Sequence, residues 1–135
     1  MNNKTDSNQT QLAAACILLS VADADEILED QELITIGEIL QEFFSIDESS
    51  VKSLMQHAQE EWKNSIGLFQ FGTQLNQYFS HDDKLDFISC VFEVAYADGK
   101  LHYLEHHAVK KIANILHLEK NELISAKAEI ENYLD

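Results

Sequence analysis

The sequence predicts an all-α protein, a compact single-domain bundle of about seven helices, and three observations carry that prediction. The 135 residues contain no proline and only four glycines, so little in the chain interrupts a helix. Apolar residues recur mostly at spacings of three and four, the period of a helix with one buried face. The length is that of one domain, by the usual prior of about 100–200 residues each.

Each element can be justified in turn. Residues 1–8 are polar and read as a flexible tail ahead of a helical domain over 9–135. Residues 9–24 are apolar nearly all round: Leu12, Ala15, Cys16, Leu19 and Ala22 form one stripe, with Ile17, Leu18 and Val21 on its flank. Such a helix is expected to be central and buried. A second helix near 30–44 carries Ile36, Ile39, Leu40 and Phe43. A third, from 48 to about 63, is opened by Asp47 as N-cap, with Ile46 and Val51 placed as a hydrophobic staple. Its inner stripe is Val51, Leu54, Met55, Ala58 and Trp62. The fourth, near 66–79, presents Leu68, Phe71, Leu75 and Phe79, and its aromatic set of Phe69, Phe71, Tyr78 and Phe79 reads as core. Ser80 and Asp83 can form a capping box for a fifth helix near 82–97, where Leu85, Phe87, Ile88, Val91, Phe92, Val94 and Ala95 again leave few polar sides. Helices near 103–117 and 119–133 complete the count.

The first and fifth helices resemble each other because the chain reads as duplicated. A shift of 73 residues superposes Val21/Val94, Ala22/Ala95, Ala24/Ala97, Asp25/Asp98, Leu28/Leu101, Glu32/Glu105 and Ile39/Ile112. With one residue deleted, Ile46-Asp47 falls opposite Leu118-Glu119 and Val51 opposite Leu123. The expected plan is helix–loop–helix–turn–helix twice, in halves of about 11–62 and 84–135, with the helix at 66–79 bridging them.

Charge narrows the function. Twenty-four acids against nine lysines and no arginine give a net charge of −15, which disfavours binding to a nucleic-acid backbone. Between Thr5 and Val51 there are 11 acids and no basic side chain, so cations or basic partners are expected at the N-terminal half. No run approaches the roughly 18 apolar residues a membrane span needs, no basic amphipathic helix suits membrane docking, and Met1 to Gln11 lacks an export pattern. A cytoplasmic protein without direct membrane insertion is the expectation. Cys16 and Cys90 sit among apolar residues without a Cys-x-x-Cys spacing, which predicts buried reduced thiols.

The duplicated loops hold the candidate chemistry. The first reads Ala24-Asp25-Glu26-Ile27-Leu28 with Glu32, and the second Ala97-Asp98-Gly99-Lys100-Leu101 with Glu105. An Asp in the last turn of a helix faces the negative end of the macrodipole, so a local compensation is expected. Loop N–H groups are one, with Gly99 in the left-handed conformation, and Glu105 as the third helical residue can reach back to its N-cap. A bound cation is the other, with Asp25, Glu32, Asp98 and Glu105 as metal ligands. Hard carboxylate oxygens suit Ca²⁺, Mg²⁺ or Mn²⁺. The first loop is not an EF-hand, because from Asp23 the sixth position is Leu28 and the twelfth Ile34. Six acids in ten residues from Asp23 to Glu32 also fit a solvated acidic face.

His102-Tyr103-Leu104-Glu105-His106 matches H-x-x-E-H, in which two histidines hold Zn²⁺ and the Glu acts as base. The first copy has Glu29 and Leu33 in place of those histidines, so the duplicated feature is the Glu and not the zinc pair. No G-x-S-x-G and no phosphate-cradling glycine loop occurs, and no catalytic residue or organic cofactor is expected.

The stretch Val94-Ala95-Tyr96-Ala97-Asp98-Gly99-Lys100-Leu101, followed by Tyr103, Glu105 and Lys110-Lys111-Ile112-Ala113-Asn114-Ile115-Leu116, resembles the TerB-like family named after tellurite-resistance proteins. Leu68-Phe69-Gln70-Phe71 with Leu75-Asn76 and Asp83-Lys84 is similar to its stand-alone bacterial branch. The resemblance runs from about residue 11 to the end. It implies a bundle of about seven helices and places the family's recurring acidic positions, suspected of binding metal, at Asp98 and Glu105 and, through the repeat, at Asp25 and Glu32. Lys100 stands where the family often has an acid, and Glu26 replaces the loop glycine of the first copy. The expectation is a non-enzymatic acidic module in a tellurite or stress response, acting through other proteins and tuned by a divalent cation. Its alternatives are a metal-dependent enzyme using these loops or His102, Glu105 and His106, and an acidic decoy for a nucleic-acid-binding protein.

Overall fold

The computed structural model describes residues 3–24, 29–97, 101 and 103–134, and among them the chain forms seven α-helices and no strand. They are α1 (Asn3–Ala22), α2 (Asp30–Phe44), α3 (Glu48–Lys63), α4 (Phe69–Tyr78), α5 (His81–Ala95), α6 (Tyr103–Ile115) and α7 (Lys120–Leu134). The all-α class and the count of seven are as expected.

Of the boundaries that differ from the sequence reading, three have a local cause. Helix α1 starts at Asn3, not near residue 9, because the polar segment lacks glycine and proline; polarity there marks exposure, as at Asn8 and Gln9, and not a break. Helix α4 is shorter than 66–79, since Ser65 to Leu68 form the connection from α3 and Gly67 sits at φ 157°. Helix α6 stops at Ile115 because His117 turns left-handed at φ 62°.

Helix α1 is central, with every residue from Ala13 to Ala22 buried, and it packs against α2, α3, α4, α5 and α6. Its buried Ser20 hydroxyl is answered locally, donating to the Ile17 carbonyl at 2.6 Å, while the Gln74 side-chain amide of α4 donates to the Thr10 hydroxyl at 3.4 Å. The Cys16 thiol lies 3.6 Å from the Ala58 carbonyl of α3. Helix α5 is the second buried element, through Phe87, Ile88, Val91, Phe92, Val94 and Ala95, and it packs against α1, α2, α6 and α7. Phe43 joins the layers, with ring centroids 5.6 Å from Phe79 and 5.8 Å from Phe87. The aromatic set of α4 divides: Phe71 is buried and Phe79 half-buried, but Phe69 is 78% exposed and Tyr78 41%. A ten-residue helix offers one inward stripe, Phe71 and Leu75, and Phe69 lies about 200° round from Phe71.

The caps follow the sequence closely. The Ser50 N–H donates to the Asp47 carboxylate at 2.7 Å, which holds that carboxyl below its ordinary range. The Ser80 and Asp83 side chains each accept from the other's backbone N–H, at 3.1 and 3.0 Å. Glu119 and Glu122 open α7 in a related way, with the Glu119 N–H donating to Glu122 at 2.9 Å, and His81 also meets that carboxylate. No helix among the described residues is long and apolar enough to cross a membrane.

Candidate acidic site at the two helix–loop–helix turns

Each turn joins the C-terminus of a buried helix, α1 or α5, to the N-terminus of the helix packed on it, α2 or α6. Of the four expected metal ligands, Asp25 and Asp98 lie outside the described residues, as do Glu26, Gly99, Lys100 and His102. Glu32 and Glu105 are described, and both are the third residue of their helix.

Their burial is the finding the sequence did not supply. Glu32 is 5% exposed and Glu105 1%, whereas an acid beside a loop is ordinarily solvated. Burying a carboxylate is unfavourable unless hydrogen bonds and local dipoles answer it. For Glu32 the answer is a capping box: the Glu29 N–H donates to its Oε1 at 3.2 Å, and the Glu29 side chain accepts in return from the Glu32 N–H. Both carboxylates also sit at a helix N-terminus, the end of the macrodipole that favours negative charge. Other matched pairs share their surroundings: Val21 with Val94, Ala22 with Ala95 and Ile39 with Ile112 are all buried.

Carboxylate oxygens such as those of Glu32 and Glu105 are hard donors of the kind that suits Ca²⁺, Mg²⁺ or Mn²⁺. Among the described residues each turn contributes one carboxylate of the expected pair, and no group of three His, Cys, Asp or Glu stands ready to hold a metal ion. On α6, His106 is half-buried and its pKa is lowered, first by burial and then by Lys127 and Lys110. His107 is exposed, its ring 6.5 Å from that of Tyr103 and nearly parallel to it.

Each half also ties the end of its buried helix to its third helix, with opposite chemistry. In the first half the Trp62 indole N–H donates to Asp23 Oδ2 at 3.3 Å. In the second, Tyr96 occupies the position that the 73-residue shift aligns with Asp23, and its hydroxyl donates to Glu131 at 2.9 Å. Burial, followed by that acceptor and its charge, pushes the Tyr96 hydroxyl up to about 12. A search for identities misses such a pair, because acid and aromatic donor have changed places.

Asp23 and Trp62 line a cavity of about 650 Å³. A smaller acidic groove, of about 380 Å³, lies between α2 and α5, where Glu42, Asp83, Asp86 and Glu93 surround the half-buried Cys90. Partial burial, then Glu42 and Glu38, raise the Glu93 carboxyl above its ordinary value.

Compared with known proteins, the chain matches the family model described as tellurite resistance protein TerB over residues 11–128. No curated protein and no solved structure matches it.

Proposed function

This chain belongs to the tellurite resistance protein TerB family, and on that premise we propose that it is a non-enzymatic module that works through protein contacts in a stress-response assembly and is tuned by a divalent cation at its two acidic turns. The observation that carries the reading is the matched burial of Glu32 and Glu105 at the same helical position in the two halves. A carboxylate kept at the rim of the core beside an acidic loop is a device for coupling loop charge to helix packing. A cation bound there changes how the buried helices present their neighbours.

The duplicated feature is the Glu and not the histidine pair, since the first copy has Glu29 and Leu33 at those places, and this favours the reading over a zinc hydrolase at His102, Glu105 and His106. The test is calorimetric titration of chelator-stripped protein with Ca²⁺, Mg²⁺ and Mn²⁺, on wild type and on the double variant Asp25→Asn, Asp98→Asn, followed by partner capture with and without the ion. Saturable heat lost in the variant, together with ion-dependent capture, is the expected result. Absence of both heat and specific capture in wild type sinks the proposal.

A further inference from the structure

We propose that the cavity beside Trp62 receives an arginine side chain of a partner protein, with an apolar residue of the same segment covering Ile66. This rests on the protein-contact reading above and gives the contact a place and a chemistry.

The cavity lies where the end of α1 meets the end of α3 and the connection to α4, and Leu19, Asp23, Gln59, Trp62, Lys63 and Ile66 line it. Its volume of about 650 Å³ exceeds what one side chain fills, so it accommodates a residue and part of its neighbour. The indole N–H is already committed to Asp23 Oδ2, and that bond fixes the ring and the carboxylate relative to each other. A planar guanidinium suits such a pair: it stacks on an indole face, and its N–H groups fit a carboxylate edge.

The apolar half of the partner follows from two side chains with no place in the core. Ile66 is 101% exposed at the cavity's rim, and Phe69, three residues on, is 78% exposed. Ile66, standing this far out on the cavity's rim, offers an apolar contact for a residue next to the arginine.

Charge selects the partner's sign. The cavity's own lining carries one acid, Asp23, and one base, Lys63, so the preference for a cation comes from the chain's net charge of −15 and from the stretch Thr5 to Val51 around Asp23, with 11 acids and no basic residue. A second copy of this chain, at −15 and without arginine, is repelled and brings no guanidinium. One carboxylate beside an indole N–H is also not the oxygen cage a hard cation takes.

Trp62 is the only tryptophan, so its fluorescence reports on this cavity directly. The probe is the peptide acetyl-Ala-Leu-Arg-Leu-Ala-amide, titrated into the full chain beside the same peptide with citrulline for arginine and beside arginine amide alone. The arginine peptide is expected to change the fluorescence saturably, with the citrulline peptide about tenfold weaker and arginine amide weaker still. Asp23→Asn keeps an acceptor for the indole N–H at an exposed position, so the fold persists, as circular dichroism will check. It is expected to weaken the peptide about three- to tenfold, while Glu129→Gln on α7 changes it less than about twofold. An unsaturable response, equal binding of the citrulline peptide, or an Asp23→Asn variant indistinguishable from wild type overturns the proposal. Arginine amide binding as well as the peptide also overturns it, in favour of a small organic cation. A partner captured equally by wild type and by Asp23→Asn with Ile66→Ser leaves the protein-contact reading standing and removes the contact from this cavity.

Discussion

Gly72 of α4 lies so close to Ile115 of α6 that a Cβ added at Gly72 would overlap Cγ2 of Ile115. One turn on, the Asn76 side-chain amide donates to the Ile115 carbonyl at 2.9 Å, so the approach of the two helices is fixed by a missing side chain and one amide. Alanine in place of glycine inside a helix ordinarily adds up to about 1 kcal/mol. Here the overlap with a β-branched residue wins, and Gly72→Ala is expected to lose about 1–3 kcal/mol in urea denaturation. Adding Ile115→Ala removes the offending methyl, so the double variant should lose less than the sum of the two single changes. A Gly72→Ala protein more stable than wild type would show that α4 and α6 do not meet this way.

Glu93 carries the pH prediction. Its folded-state pKa is raised, by partial burial and then by Glu42 and Glu38, so the folded protein holds this proton more tightly than the unfolded chain does. The ionised carboxylate therefore opposes folding at neutral pH, and the opposition is relieved as pH falls through the raised pKa towards the ordinary one. Glu93→Gln should raise Tm by about 1–3 °C at pH 7, with the gain shrinking towards pH 4. Equal melting at pH 7, or a gain that does not change with pH, would contradict the packing of α2 on α5.

The seven helices were legible because periodicity and caps are written locally: Asp47, and Ser80 with Asp83, lie within three residues of the groups they cap. What was not legible depends on distance in space. A Glu at the third position of a helix is the same letter whether it faces water or the core, and the burial of Glu32 and Glu105 appears only once the helices are packed. Phe69 was misplaced because four aromatics in eleven residues suggest a stripe, while the inward face of α4 admits Phe71 and Leu75. The Trp62 cavity needs partners 39 residues apart, which no local pattern carries.

The cysteines yield a reactivity prediction. Burial, then Glu61, pushes the Cys16 thiol up to about 12; burial, then Glu93, Asp86 and Glu42, does the same for Cys90. With thiolate as the reacting species, each should be alkylated by iodoacetamide about a thousand times more slowly in the folded protein than an ordinary thiol, and at the ordinary rate in urea. Fast labelling of Cys90 in the native state would mean that the groove between α2 and α5 opens and loses its acidic surroundings.

Glu32 offers a way to separate helix capping from cation binding, because glutamine keeps the Oε1 acceptor that the Glu29 N–H uses while removing the charge. Glu32→Ala removes both and leaves an N–H at the start of α2 without its acceptor, so it should cost about 1–2 kcal/mol. Glu32→Gln should stay within about 0.5 kcal/mol of wild type. If the turn is a cation site, the glutamine variant nevertheless loses the calorimetric heat with Ca²⁺, Mg²⁺ or Mn²⁺, since a neutral amide oxygen is a far weaker ligand for a hard cation than a carboxylate. Unchanged heat in a stable Glu32→Gln protein would assign this carboxylate to capping alone, and the same pair of substitutions at Glu105 asks the question of the second half.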